Sequence, residues 1–266
     1  MISITTDDGA DLAVWDTGGD GAPIVLIHGF TLDHSVWDPV VADLAREGRR
    51  VLCPDLRGHG SATLGSQPPS LVRLAKDVEA ILHFFEIDAA HVVGHSLGAF
   101  VALASRPDSA IDQTVSSVVA ISGMARSITN PLQRLGANVF SSGVGVKMLR
   151  QQRLGRMTIK PWFGPQATDA DLDAARLMSA RCSAETRRAV ARATAAIDLR
   201  PSFQADGPPT LVICGRDDAA TPLKHSEQIA AAIAGSSLEI VDGAGHMVIT
   251  EKPDQVAKLI LSATTR

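Results

Sequence analysis

The chain has 266 residues, 45% of them hydrophobic and 20% charged, with a net charge of −4; that composition suits one sizeable globular α/β domain with room for an inserted segment. It contains no run of eighteen apolar residues, and its acidic start, Met1 to Asp8, lacks a long apolar stretch, so neither a membrane span nor a secretory signal is expected. The acidic balance, without basic and aromatic residues interleaved, gives no support to nucleic-acid binding.

Residues Ile2–Thr5 and Leu12–Asp16 read as a hairpin turning at Asp8-Gly9. Pro23-Ile-Val-Leu-Ile-His28 is a continuous apolar run ending at glycine, the pattern of a strand buried on both faces of a parallel sheet. Ser35 to Glu47 has helical spacing, with Trp37, Val40, Val41 and Leu44 on one face. Arg50–Pro54 is the next strand and ends in the glycine turn Asp55–Gly60. Ser70, an N-cap residue type, opens an amphipathic helix to Phe85.

His91 to Val93 ends a buried strand, Gly94-His95-Ser96-Leu97-Gly98 turns sharply, and Ala99 to Ser105 is an apolar helix. A serine between strand and helix, flanked by glycines, is held at a strained position with its hydroxyl exposed, at a helix end that favours negative charge. Thr114–Ser122 is another buried strand. From Met124 to Gln204 no strand pattern appears, and the clearest helical pieces are Met148–Arg156 and Asp171–Ala196. Strands resume at Pro209–Gly215 and Leu238–Val241, with helices over Leu223–Ala234 and Pro253–Thr264. The alternation predicts a doubly wound, mostly parallel sheet of about eight strands. A helical lid, residues 124–204, is inserted after the sixth strand into a core made of residues 1–123 and 205–266.

Three scattered cysteines, Cys53, Cys182 and Cys214, lack C-x-x-C spacing, so disulfides and a zinc site are not expected and a reducing cytoplasm is. Cys53 and Cys214 fall within strand patterns and read as small buried hydrophobes. None of the eight histidines has H-E-x-x-H spacing, and neither metal nor cofactor is expected.

A serine hydroxyl needs a base to remove its proton, and the base needs a third group to orient it. Reactive groups of open α/β sheets collect beyond the carboxyl ends of the strands. Two later strands end in suitable residues: Gly215-Arg-Asp-Asp218, with two adjacent aspartates, and Gly243-Ala-Gly-His-Met247. The order is serine, aspartate, histidine.

With His28-Gly29-Phe30 and Asp55-Leu-Arg-Gly-His-Gly60 added, these motifs resemble the serine hydrolases of the α/β-hydrolase fold superfamily along nearly the whole chain. A lone G-x-S-x-G is a weak signal; five motifs in order are specific. The resemblance implies a Ser96 nucleophile, a His246 general base and, as the third residue after Gly215, Asp218 rather than Asp217 as the orienting acid. Some relatives carry that acid after the sixth strand, but here Ile121-Ser-Gly-Met124 offers no carboxylate. The backbone N–H of Leu97 and, by resemblance, that of Phe30 would hold the oxyanion. His28, His59 and His95 read as braces of their turns.

Pocket residues are expected at Phe30, Met124, Phe140, Trp162 and Met247, with Met148, Phe163, Leu177 and Met178 as further candidates for an apolar roof. The lid carries 13 Lys and Arg against 5 Asp and Glu, and the rest of the chain 12 against 24. Lys147, Arg150, Arg153 and Arg156 recur every third residue as a basic stripe on one helix, read as a solvated face. The sharper reading is recruitment of an anionic substrate or lipid surface.

Haloalkane dehalogenases and epoxide hydrolases use an aspartate nucleophile, which Ser96 argues against. Carbon–carbon hydrolases of aromatic catabolism carry an aromatic after the catalytic histidine, where Met247 stands. Enol-lactonases and cofactor-free haloperoxidase-like esterases match, and the expectation is hydrolysis of carboxylic esters or lactones of small to medium apolar substrates. The alternatives are a carbon–carbon hydrolase, a slow-turnover ligand sensor like the hormone receptors of this fold, and a lyase using Ser96 and His246 for proton transfer.

Overall fold

A computed structural model describes residues 1–106, 115–127, 131–204 and 207–265. Thr114 and Ala205, at two expected boundaries, lie outside them. In chain order the elements are β1 (Ile2–Thr5), β2 (Asp11–Asp16), β3 (Ile24–Ile27), α1 (Asp38–Arg46), β4 (Val51–Pro54), α2 (Leu71–Phe84), β5 (Ala90–His95) and α3 (Leu97–Ala104). After β6 (Val115–Ile121) come α4 (Pro131–Phe140), α5 (Gly143–Arg150), α6 (Gln152–Ile159), α7 (Asp169–Arg181) and α8 (Ala184–Thr194). The chain closes with β7 (Thr210–Gly215), α9 (Lys224–Ala232), β8 (Ser237–Val241), α10 (Val248–Glu251) and α11 (Pro253–Thr264).

One eight-stranded sheet has the order β1-β2-β4-β3-β5-β6-β7-β8. The pairs β1–β2 and β2–β4 are antiparallel and all others parallel. Alternation within the apolar strands divides the core in two. Val25, Ile27, Val92, Val118 and Val212 pack in one layer with residues of α2, α3 and α9. Ile24, Leu26, Val93, Val119 and Ile213 pack in the other with residues of α1, α10 and α11. Because successive side chains of a strand point to opposite faces, a run that must satisfy both faces reads as continuously apolar. No helix among the described residues is long and apolar enough to cross a membrane.

The expected hairpin and the N-cap at Ser70 are present; the Ser70 hydroxyl accepts from the Arg73 amide at 3.1 Å. Three expected helices are interrupted. His34–Trp37 is a 3₁₀ turn capped by Asp33, and α1 starts afresh with Pro39 in its first turn, where a missing N–H costs nothing. The helix expected over Met148–Arg156 is broken at Gln151, which is extended. There the Leu149 carbonyl, orphaned at the end of α5, accepts from Arg176 of α7 at 3.2 Å, and Gly155 lies so close that an added Cβ would sit 2.6 Å from that same oxygen. The basic stripe is thus split, with Lys147 and Arg150 on α5 and Arg153 and Arg156 on α6. Nor is it wholly solvated, because Arg156 is ion-paired with Asp169 and Asp173 of α7. The helix expected over Asp171–Ala196 breaks at Cys182, and Ser183 caps α8 by accepting from the Thr186 amide at 3.0 Å.

Buried ions tie the loops together. Arg57, fully buried, donates to Asp8 at 2.9 Å and to Asp77 at 2.7 Å, joining the hairpin turn, the Asp55–Gly60 loop and α2. Arg187 of α8 is also buried, and its guanidinium donates to the carbonyls of Cys182 and Phe140 and stacks on the Phe140 ring at 4.7 Å. It fixes the place of that ring.

Candidate active site

Ser96 follows the last residue of β5 and precedes α3, with φ +54° and ψ −108°, a left-handed conformation that a side chain with a Cβ adopts only under strain. Its surroundings leave no alternative path. A Cβ on Gly94 would lie 1.9 Å from the Gly98 carbonyl oxygen, and one on Gly98 would lie 2.1 Å from that of Ile27. The Ser96 amide is pinned to the Ile121 carbonyl at 2.9 Å. The side chain is half-buried, unlike its fully buried neighbours His95 and Leu97.

From the ends of β7 and β8, Asp218 and His246 arrive beside it. The Ser96 hydroxyl lies 3.0 Å from His246 Nε2, and His246 Nδ1 lies 3.0 Å from Asp218 Oδ2. With Nδ1–H donating to the carboxylate, Nε2 is left as the acceptor for the serine proton. Asp218 and His246 are 4% and 7% exposed, so water competes little for these bonds. Asp217 is exposed and does not join them. Burial alone would raise the Asp218 carboxyl, but the His246 charge, with hydrogen bonds from His246 and Thr221, outweighs it and holds the group below its ordinary value.

Thr221 is a neighbour that sequence reasoning did not single out. Its amide donates to Asp218 Oδ1 at 2.7 Å, and its hydroxyl lies 2.7 Å from Asp218 Oδ2, 3.0 Å from the Ser122 carbonyl and 3.1 Å from His246 Nδ1. The only signal available was a threonine three residues after a candidate acid, a spacing common in turns.

His28, His59 and His95 brace their turns. His28 donates from Nδ1 to the Gly29 carbonyl at 2.8 Å and accepts at Nε2 from the Leu56 amide at 2.9 Å, joining the loops after β3 and β4. His95 Nε2 donates to the His246 carbonyl at 2.9 Å, and burial pushes its pKa down to about 3. His59 is likewise pushed down to about 3 by burial and rests on the Arg57 carbonyl at 3.2 Å. His91 and His95, four residues apart, have separate partners, since His91 pairs with Ser117 at 2.9 Å. Among the described residues no three His, Cys, Asp or Glu side chains are grouped to hold a metal ion. Gly29 brings the loop after β3 against the serine, where an added Cβ would lie 3.2 Å from that of Ser96.

Ser96 and His246 open into a cavity of about 860 Å³, ample for a small or medium ligand. Phe30, Met124, Phe140, Trp162 and Met247 all line it; Met148, Phe163, Leu177 and Met178 do not. Phe163 is buried between sheet and helices, while Leu177 is half exposed. Phe140 packs edge-on against both Phe30 and Trp162, with ring centres 6.3 and 5.6 Å apart, so the helical segment and the sheet loop meet along the cavity wall.

A mostly parallel eight-stranded sheet, flanked by helices and carrying a serine on the tight turn after a central strand, defines an α/β hydrolase. The chain belongs to the alpha/beta hydrolase family, whose sequence profile matches residues 24–259. A non-heme haloperoxidase of Rhodococcus erythropolis is 26% identical, over 98% of both chains. Among solved structures, the enol-lactonase from Burkholderia xenovorans is 27% identical, covers 97% of both chains and superposes with a TM-score of 0.84. A thermophilic esterase from Thermogutta terrifontis is 26% identical, covers 98% of this chain and 96% of its own, and gives 0.82.

Proposed function

We propose that this chain hydrolyses carboxylic esters or lactones of small to medium size through an acyl-enzyme on Ser96. The observation that carries the reading is the unbroken hydrogen-bond path Ser96–His246–Asp218, with both links at 3.0 Å, opening on a largely apolar cavity. Ser96 Oγ attacks the carbonyl carbon as its proton passes to His246 Nε2, and Asp218 stabilises the imidazolium. The tetrahedral oxyanion accepts from the amides of Leu97, in the first turn of α3, and Phe30, on the loop that Gly29 brings against the serine. His246 then gives its proton to the leaving alcohol. Water, deprotonated by the same imidazole, attacks the acyl carbon and releases the acid. The helical segment 124–204 acts as a lid, roofing the serine with Phe140 and Trp162. Kinship with an enol-lactonase and an esterase supports the choice of bond. The three free, buried cysteines suit the reducing cytoplasm expected from their scatter.

The test is rapid mixing of the protein with 4-nitrophenyl butyrate. A burst of nitrophenolate equal to the enzyme, with a butyryl adduct on Ser96 by mass spectrometry, is expected. Steady turnover by a Ser96→Ala variant would reject the assignment.

A further inference from the structure

The positive charge of the helical segment reaches the cavity at a place other than the split stripe of α5 and α6. None of Lys147, Arg150, Arg153 and Arg156 lines the cavity, whereas Arg188 and Arg192 do. The two lie one turn apart on α8, so they share a face. Both are also exposed, which puts them at the rim, where the cavity meets solvent. No carboxylate lines the cavity, and neither arginine belongs to an ion pair among the described residues. Four other arginines of the segment are paired, Arg156 with Asp169 and Asp173, Arg176 with Asp173, Arg181 with Asp33 and Arg200 with Asp198, and those left unpaired on α5 and α6, Arg150 and Arg153, do not line the cavity.

Two like charges at this spacing repel each other slightly, while Arg192, in the last turn of α8, is favoured there by the helix dipole. Guanidinium groups present planar forks that match carboxylate and phosphate oxygens. The same cavity holds Ser96 and His246, and its walls are apolar at Phe30, Met124 and Trp162. The cavity therefore combines reacting groups, apolar walls and a cationic rim.

We infer that the substrate is an ester or lactone that also carries an oxyanion, a carboxylate or a phosphate group, bound by Arg188 and Arg192 at the rim while its carbonyl lies at Ser96. This inference rests on the hydrolase reading above and names the substrate class for the same site. The rim charges would act both on capture, by steering anions to the mouth, and on orientation, by fixing which end of the molecule enters first.

Three esters of similar length test it: 4-nitrophenyl pentanoate, the mono-4-nitrophenyl ester of glutarate, and 4-nitrophenyl 4-phosphonobutanoate. The wild-type protein is expected to show kcat/KM at least tenfold higher for one of the two anionic esters than for the neutral one, and the better of the two identifies the oxyanion. In Arg188→Gln/Arg192→Gln the ratio of anionic to neutral kcat/KM should fall by at least tenfold, chiefly through KM. In Lys147→Gln/Arg150→Gln it should not change. Equal rates on neutral and anionic esters in the wild type, or a ratio unmoved by the double substitution, would overturn the inference and leave ester hydrolysis standing. Should no ester turn over, the hydrolase reading fails first. Binding of glutarate monoanilide, measured by calorimetry, then decides the rim separately, with tighter binding than the monoanilide methyl ester supporting it and equal binding refuting it. Should the double variant not fold, each single variant is expected to show a smaller fall in the same ratio.

Discussion

The Met247 amide donates to the Trp162 carbonyl at 2.9 Å, so the residue after His246 is fastened to the helical segment that follows β6. Glu251 doubles the link: one carboxylate oxygen accepts from the Gly245 amide at 2.9 Å and the other from Gly164 at 2.7 Å. Hydrogen bonds to a charged, partly buried carboxylate contribute about 1.5–3 kcal/mol each. Glu251→Ala is expected to lower Tm by several degrees in calorimetry and to lower kcat by about tenfold, because the imidazole loop and its cover loosen together.

Ser96→Ala should reduce kcat by several orders of magnitude with an unchanged circular dichroism spectrum, and should abolish labelling by a fluorophosphonate. The two aspartates should separate cleanly. Asp218→Asn is expected to reduce kcat by about a thousandfold or more, whereas Asp217→Asn, at an exposed position, should stay within about twofold. Because Asp218 is held below the ordinary carboxylate range, it remains ionised above about pH 4.

Thr221→Val keeps the shape of the side chain and removes only the hydroxyl beside Asp218 and His246. Loss of a hydrogen bond to a charged group in a buried site costs about 1.5–3 kcal/mol. A fall in kcat of about ten- to a hundredfold with little change in KM is expected in steady-state assays on a nitrophenyl ester.

Arg57→Ala would leave Asp8 and Asp77 buried with only the more distant Arg73 as counter-ion, a change that costs about 3–5 kcal/mol. The sign of the pH dependence follows from the carboxyls. In the native protein Asp8 is held below its ordinary value, mainly by its hydrogen bond to Arg57. Its contribution to stability is therefore complete above the unfolded value, about pH 4, and is lost as pH falls through the native one. Without Arg57, burial of the two carboxylates is opposed only by Arg73 and by the hydrogen bonds of Thr6 and Gln67 to Asp8, and protonation relieves it. The deficit between variant and wild type in urea melts should shrink from pH 7 to pH 5.

Much of this arrangement could be read from the sequence, because glycine at positions 94 and 98 and apolar runs without polar interruption are direct records of close backbone approach and two-sided burial. Ser96, Asp218 and His246 stand at strand ends for the same reason: the alternation of strand and helix puts all such ends along one edge. What could not be read depends on partners distant in sequence. Gln151 breaks a helix although it is no helix breaker, because Arg176 and Gly155 make a kink at Leu149 favourable. Met148, Phe163, Leu177 and Met178 miss the cavity because hydrophobicity alone does not say which face of each short helix looks inward. Arg188 and Arg192 drew no notice among 13 basic residues of the segment, since only folding separates those on the rim from those elsewhere.

The contact between Arg57 and Asp8 makes the two ends of the chain unequal for engineering. An affinity tag or surface-display fusion attached beyond α11 follows Thr265, which is exposed. Trimming at the opposite end past residue 8 would withdraw a counter-ion from beneath the Asp55–Gly60 loop, and a shortened version would misassemble far from the cut.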